Sequence, residues 1–223
     1  MGLPVLMLVG SATNGHGQIR DILKRMDAHN VALQTLTADI TMVKRDSALQ
    51  VSDTLVGRTS YLPKRTKGTM AFRLDWATEN GHPKEESIAV IGDNVELYQP
   101  RLHLVKKGKT QKSKGSKGLG SALGFLSMSR AEITANYDVK YLGDEQVKTG
   151  ENTWHLQLTP LKATNYKDAE IWVDKNGMPI QMKIIENNND WTTVLLSNIQ
   201  KNVKMDVKIF KLDYPKGTTI QPF

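Results

Sequence analysis

Residues 168–202 read DAEIWVDKNGMPIQMKIIENNNDWTTVLLSNIQKN, and this stretch decides the fold. Ala169, Ile171 and Val173 alternate with Glu170, Trp172 and Asp174, the period-two pattern of a strand with two different faces. Asn176-Gly177 follows, a pair that accepts the positive φ of a tight reversal. The chain returns through Ile180, Met182 and Ile184, turns again at Asn187-Asn188-Asn189-Asp190, and runs out from Trp191 to Ile199. The reading is an antiparallel meander that the rest of the chain extends or covers.

Working outward, most of the chain repeats this pattern. Strands are expected over Leu36–Met42, over Val51–Leu62 with an interruption near Gly57, and over Met70–Trp76. Hairpins are expected for Ser87–Ile91 with Val95–Tyr98 around Gly92-Asp93-Asn94, and for Tyr137–Val147 with Trp154–Leu158 around Thr149-Gly150. His155 and Gln157 face away from Trp154, Leu156 and Leu158. Leu102–Val105, Val207–Tyr214 and Thr218–Ile220 read as short extended pieces. The period becomes helical twice. Ile19, Ile22, Leu23 and Met26 share one face of an amphipathic helix from Gln18 to about Ala32. Leu119, Leu123 and Leu126 share a face within an apolar, glycine-containing insert, Gly118–Met128. Ser129 and Glu132 have capping-box spacing and start a further short helix. The expected fold is mainly β: a single incomplete, curved antiparallel barrel of about ten to eleven strands, covered by an N-terminal helix and a short helical lid.

The 223 residues show no Pro/Gly/Ser linker, so residues 16–223 are expected to form one domain. Leu3–Val9 followed by Gly10-Ser11-Ala12 resembles the end of a secretory signal, although no basic segment precedes it. Residues 1–15 therefore read as a signal remnant or disordered N-terminus. The plain alternative is a buried apolar end. With no cysteine, disulfides and thiol chemistry are excluded and a lipid-anchored form is not expected.

Net charge is +7, and the excess gathers at Lys106, Lys107, Lys109, Lys112, Lys114 and Lys117, read as a solvated loop. Such a loop could meet phosphate, but it carries no aromatic residue for base stacking, and no nucleic-acid partner is expected. Docking to a membrane or to an acidic partner stays open. His16, His29, His82, His103 and His155 are scattered without metal spacing. The glycines of 115–124 fit neither a dinucleotide loop nor a P-loop, and Glu85-Glu86 reads as a carboxylate pair in a polar loop. No catalytic residue, metal or cofactor is expected.

The order of several segments resembles the LolA-type periplasmic carriers of outer-membrane lipoproteins. They are the helix leading into Leu36-Thr37-Ala38-Asp39, the strand Met70–Trp76, Ile91 to Pro100, Ile171 to Asp174, and Leu196 to Asn202 ahead of a Phe210 strand and Pro215-Lys216-Gly217. The resemblance implies a half-rolled barrel whose cavity takes lipoprotein acyl chains in the periplasm. It implies a carrier, not an enzyme, loaded by an inner-membrane lipoprotein-releasing ABC transporter and unloaded by an outer-membrane lipoprotein receptor. A monomer is expected. Another lipid or glycolipid carrier, or a sensor, on the same fold is the alternative. The cavity wall is assigned to Met70, Phe72, Leu74, Trp76, Met182 and Ile184, and the lid to Leu119, Leu123, Phe125, Leu126 and Met128. In the family an arginine latches the lid. Arg65 is the candidate here, although Pro63 precedes Lys64-Arg65 where the family's proline follows, and Arg73 is the second candidate. Two physical points support a releasable lid. Burying acyl chains gains about 0.8 kcal/mol per CH₂, which a carrier must offset to let go. Each glycine inside a helix, as at Gly120 and Gly124, costs about 1 kcal/mol relative to alanine.

Overall fold

In the computed structural model, which describes residues 14–63, 69–109 and 124–223, the meander forms as read. It is β9 (Tyr166–Asp174), β10 (Pro179–Glu186) and β11 (Trp191–Lys201). Ile171 pairs with Met182, and Met182 with Val194, so one apolar row crosses all three strands. In the first turn the Asp174 carboxylate accepts from the amides of Asn176 and Met178, each at 2.8 Å. Gly177 takes φ +87, and an added Cβ there would lie 2.2 Å from the Arg25 carbonyl oxygen. Glycine is therefore required twice, by the turn and by the helix packed on it. The second turn repeats the design with Asn189 at φ 70.

Among the described residues, twelve strands join one unclosed sheet in the order β12-β6-β5-β4-β3-β2-β1-β11-β10-β9-β8-β7. The remaining strands are β1 (Leu36–Asp46), β2 (Val51–Leu62), β3 (Ala71–Glu79), β4 (His82–Ile91), β5 (Asn94–Gln99), β6 (Leu104–Lys109), β7 (Tyr137–Gln146), β8 (Asn152–Pro160) and β12 (Thr219–Pro222). Neighbours are antiparallel except β12, which lies parallel to β6. That is one strand more than the expected ten to eleven. The predicted interruption near Gly57 is a register shift opposite β3, where a Cβ would stand 3.0 Å from the Trp76 indole.

Helix α1 (Asn14–Ala32) starts four residues before the expected Gln18. It buries Ile22, Leu23 and Met26 on the inner face of the sheet. Its exit is sewn to the end of β11 by Asn202, whose Nδ2 donates to the Ala32 carbonyl at 3.2 Å while its Oδ1 accepts from Gln34 N–H at 2.7 Å. Helix α2 (Arg130–Asn136) carries the expected capping box at Ser129 and Glu132. Among the described residues, no helix is long and apolar enough to cross a membrane.

Four segments differ from the sequence reading. Glu85-Glu86 lies within β4, not a loop: Glu85 takes a positive φ, and Glu86 joins Glu79 around the Lys84 ammonium at 3.4 and 2.8 Å. Lys106–Lys109 belong to β6, where pairing with β5 and a 2.8 Å bridge from Lys107 to Glu96 hold them. Leu102 ends a 3-10 turn instead of starting that strand. Val207–Phe210 is also a 3-10 turn and not a strand, because the Asp206 carboxylate caps the Lys208 amide at 2.9 Å.

Candidate functional site

The sheet presents two faces of different chemistry. On the inner face Phe72 lies beside Tyr61, which lies beside Leu36, and Leu74 lies beside Thr59 and Ala38 through the strand registers. Further round, Met182, Val194, Met42 and Leu55 form a continuous row. Strands β2, β1 and β11 thus join the β3 wall to the β10 wall. Phe72, Leu74, Trp76, Met182 and Ile184 are buried on this face in one apolar cluster. Met70 sits just ahead of β3, partly buried against the same cluster.

Of the assigned lid, Phe125 and Leu126 are buried in that cluster and Met128 packs at its margin. Leu119, Leu123 and Arg65 lie outside the described residues, as do the lysines beyond residue 109. The Phe125 ring meets Tyr137 at 5.9 Å, and the Tyr137 and Tyr166 hydroxyls share a 2.6 Å hydrogen bond. Burial and that bond push the Tyr166 hydroxyl well above its ordinary value.

Two α1 side chains one turn apart hold the root of the lid. Asp27 accepts from the Arg130 amide at 2.6 Å and meets its guanidinium at 3.7 Å. Asn30 donates to the Met128 carbonyl at 3.0 Å. Sequence reasoning missed both, since they lie beside the apolar stripe of α1. The available signal was their spacing, which stacks them on one helix face. Between α1, the end of β2 and the lid lies a pocket of about 360 Å³, lined by Asn30, Leu33, Tyr61, Pro63, Met70, Leu126 and Ser127. Met70 and Leu126 are the two assigned residues that it brings together.

Arg73 points to the outer face. It grips Asp75 at 2.8 Å and donates to the Ile209 carbonyl at 2.7 Å, so among the described residues its ties run within β3 and to the C-terminal chain. Alternation explains this: Arg73 stands between Phe72 and Leu74, both turned inward. Also outside, His155 stacks on Trp172 at 4.1 Å between Glu145 and Glu170. The His155 hydrogen bond, helped by Lys183, holds the Glu170 carboxyl below its usual range. No three metal-binding side chains converge among the described residues.

The class of protein is thus an unclosed, mostly antiparallel sheet with a continuous apolar inner wall and a helix laid on it. Residues 62–213 match the family model described as outer membrane lipoprotein carrier protein LolA, and the chain belongs to that family. An outer-membrane lipoprotein carrier protein of Legionella pneumophila (strain Lens) is 25% identical over 193 residues, covering 85% of this chain and 84% of that protein. A protein of the same description from Pseudomonas fluorescens (strain ATCC BAA-477) is 24% identical, covering 98% and 95%. An uncharacterized conserved protein from Thermus thermophilus shares the fold, with TM-score 0.57 and 13% identity over 92% of this chain and 99% of that one.

Proposed function

We propose that this chain is a non-enzymatic, soluble periplasmic carrier that shelters the acyl chains of outer-membrane lipoproteins on the inner face of its sheet. The observation that carries the reading is that Phe125 and Leu126 of the lid occupy the same apolar cluster as Phe72, Leu74, Trp76, Met182 and Ile184. The lid's own side chains thus hold the seat that the cargo would take. An entering chain gains about 0.8 kcal/mol per buried CH₂ and must displace side chains worth about 1.5–3 kcal/mol each. That exchange keeps net affinity moderate, which suits a protein that must release what it binds. Met182, Met42 and Met26 in the same cluster are flexible enough to repack around a changing guest.

In this reading an inner-membrane lipoprotein-releasing ABC transporter loads the carrier and an outer-membrane lipoprotein receptor accepts its cargo. Leu119 and Leu123 complete the lid, and Arg65 is its latch. The protein acts as a monomer. Mass spectrometry of material co-purifying with the protein from the periplasm tests this, and lipoprotein acylated at its N-terminus is expected. Free lipid or glycolipid without lipoprotein would reassign the cargo, and protein free of any lipid would defeat the reading.

A further inference from the structure

Asn30 stands where the pocket meets the root of the lid. Its Nδ2 donates to the Met128 carbonyl at 3.0 Å, and this fixes the amide's orientation, because a carbonyl oxygen can accept only from the NH₂ side. The Oδ1 atom therefore points elsewhere. It is buried and has no hydrogen-bond donor among the described residues. Acceptors stranded in this way are uncommon in folded proteins. Asn30 is the one described side chain so stranded, and it lines a pocket whose other walls are Leu33, Tyr61, Pro63, Met70, Leu126 and Ser127.

We infer that Asn30 Oδ1 is a headgroup acceptor, and that the pocket selects an acyl chain attached through an N–H donor, an amide-linked chain, over one attached through an ester. The inference rests on the carrier reading and specifies the chemistry of its cargo. Asn30, Leu126 and Ser127 line the same pocket, so a chain that enters it passes all three. An amide N–H arriving at the head of the chain then supplies the missing donor. An ester has only acceptors, and leaves Oδ1 buried and unpaired. In a pocket without an acceptor the preference would run the other way, since stripping water from an amide N–H is unfavourable.

The test is displacement of a fluorescent fatty-acid probe from the full chain by N-methylpalmitamide and by methyl palmitate, which differ by one N–H in place of an oxygen. The wild-type protein is expected to bind the amide about 5- to 100-fold more tightly, the range that a satisfied buried acceptor commands. Asn30→Ala should bring that ratio to unity or below while retaining ester affinity. Asn30→Asp keeps an acceptor and should keep the preference, although it loses the donor to Met128. Hexadecanol separates the two donor chemistries: affinity below the amide supports an N–H reader, and affinity equal to it supports the acceptor with a wider choice of donor. Equal binding of amide and ester by the wild type, or an unchanged ratio in Asn30→Ala, would overturn the inference and leave the carrier reading standing. Failure of every lipid to displace the probe would overturn both.

Discussion

The sheet is covered on both faces, and the two covers are built differently. Inside, the described lid segment reaches the core through Phe125 and Leu126 and is tied at its root by Asp27 and Asn30. Outside, residues 206–214 cross β3–β6 as a strap. Phe210 and Leu212 are buried there apart from the main core, and Arg73 pins the Ile209 carbonyl. Tyr214 lies 5.8 Å from Tyr98 and beneath the Lys107 ammonium. The strap then enters the sheet as β12. A cover that ends in backbone pairing is a fixed part of the fold. Among the described residues the inner segment is tied by the side chains of Asp27 and Asn30 and by the burial of Phe125 and Leu126. On the proposed carrier reading, that difference makes the inner face the one that a guest enters.

The largest expected effect contrasts one aromatic from each cover. Phe210→Ala should cost about 3–5 kcal/mol of unfolding free energy, the usual range for a buried phenylalanine. Phe125→Ala should cost less than half as much, because a lid that opens in the native state contributes little to global stability. Urea unfolding of both variants decides it, and equal losses would mean that the lid is a permanent part of the core.

A smaller effect is expected from Arg73→Ala, about 1–2 kcal/mol, since the lost bond to Ile209 is charge-assisted but only partly buried. Amide exchange should quicken at residues 207–210 and stay unchanged at 124–129. Quickening at the lid instead would restore Arg73 as a latch. Asp27→Ala is the mirror experiment, expected to cost about 1 kcal/mol with faster exchange confined to 124–130.

The smallest effects separate the covers by pH. Hydrogen bonds from the Ser129 backbone and then its side chain hold the Glu132 carboxyl below its ordinary 4.5. The folded form is the better acid, so this contribution is present above pH 4.5 and is lost as pH falls through the depressed value. On the strap, Glu96 and then Tyr214 raise Lys107 above 10.5. That contribution is present below pH 10.5 and is lost as pH rises through the raised value. Limited proteolysis should therefore find the lid root loosening first in acid and the strap first in alkali. The opposite order would break the assignment of these ties.

Much of the fold was legible because it is written in short-range patterns. The turns at Gly177 and Asn189, the capping box at Ser129 and Glu132, and the buried face of α1 each depend on residues within a few positions of one another. The misread segments depend on contacts that the alternation does not show. Val207, Lys208, Ile209 and Phe210 read like a strand, but Asp206 caps them as a turn, and Arg73, 136 residues from Ile209, fixes that turn on the sheet. Lys106–Lys109 carry the charge of a loop, and β5 with Glu96 makes them a strand. Arg73 was open to the latch role because alternation gives a side chain's face only relative to its neighbours.

The sequence by itself determined the antiparallel sheet, its apolar wall and the helix laid on it. These follow from periodicity and turn chemistry, which act over a few bonds. Only the tertiary structure decided which residues hold the covers in place, that Asp27 and Asn30 serve the lid and Arg73 the strap, and that one amide oxygen is left without a donor. Those facts arise where segments 98 to 136 residues apart are brought to hydrogen-bonding distance, and no local pattern encodes such a meeting.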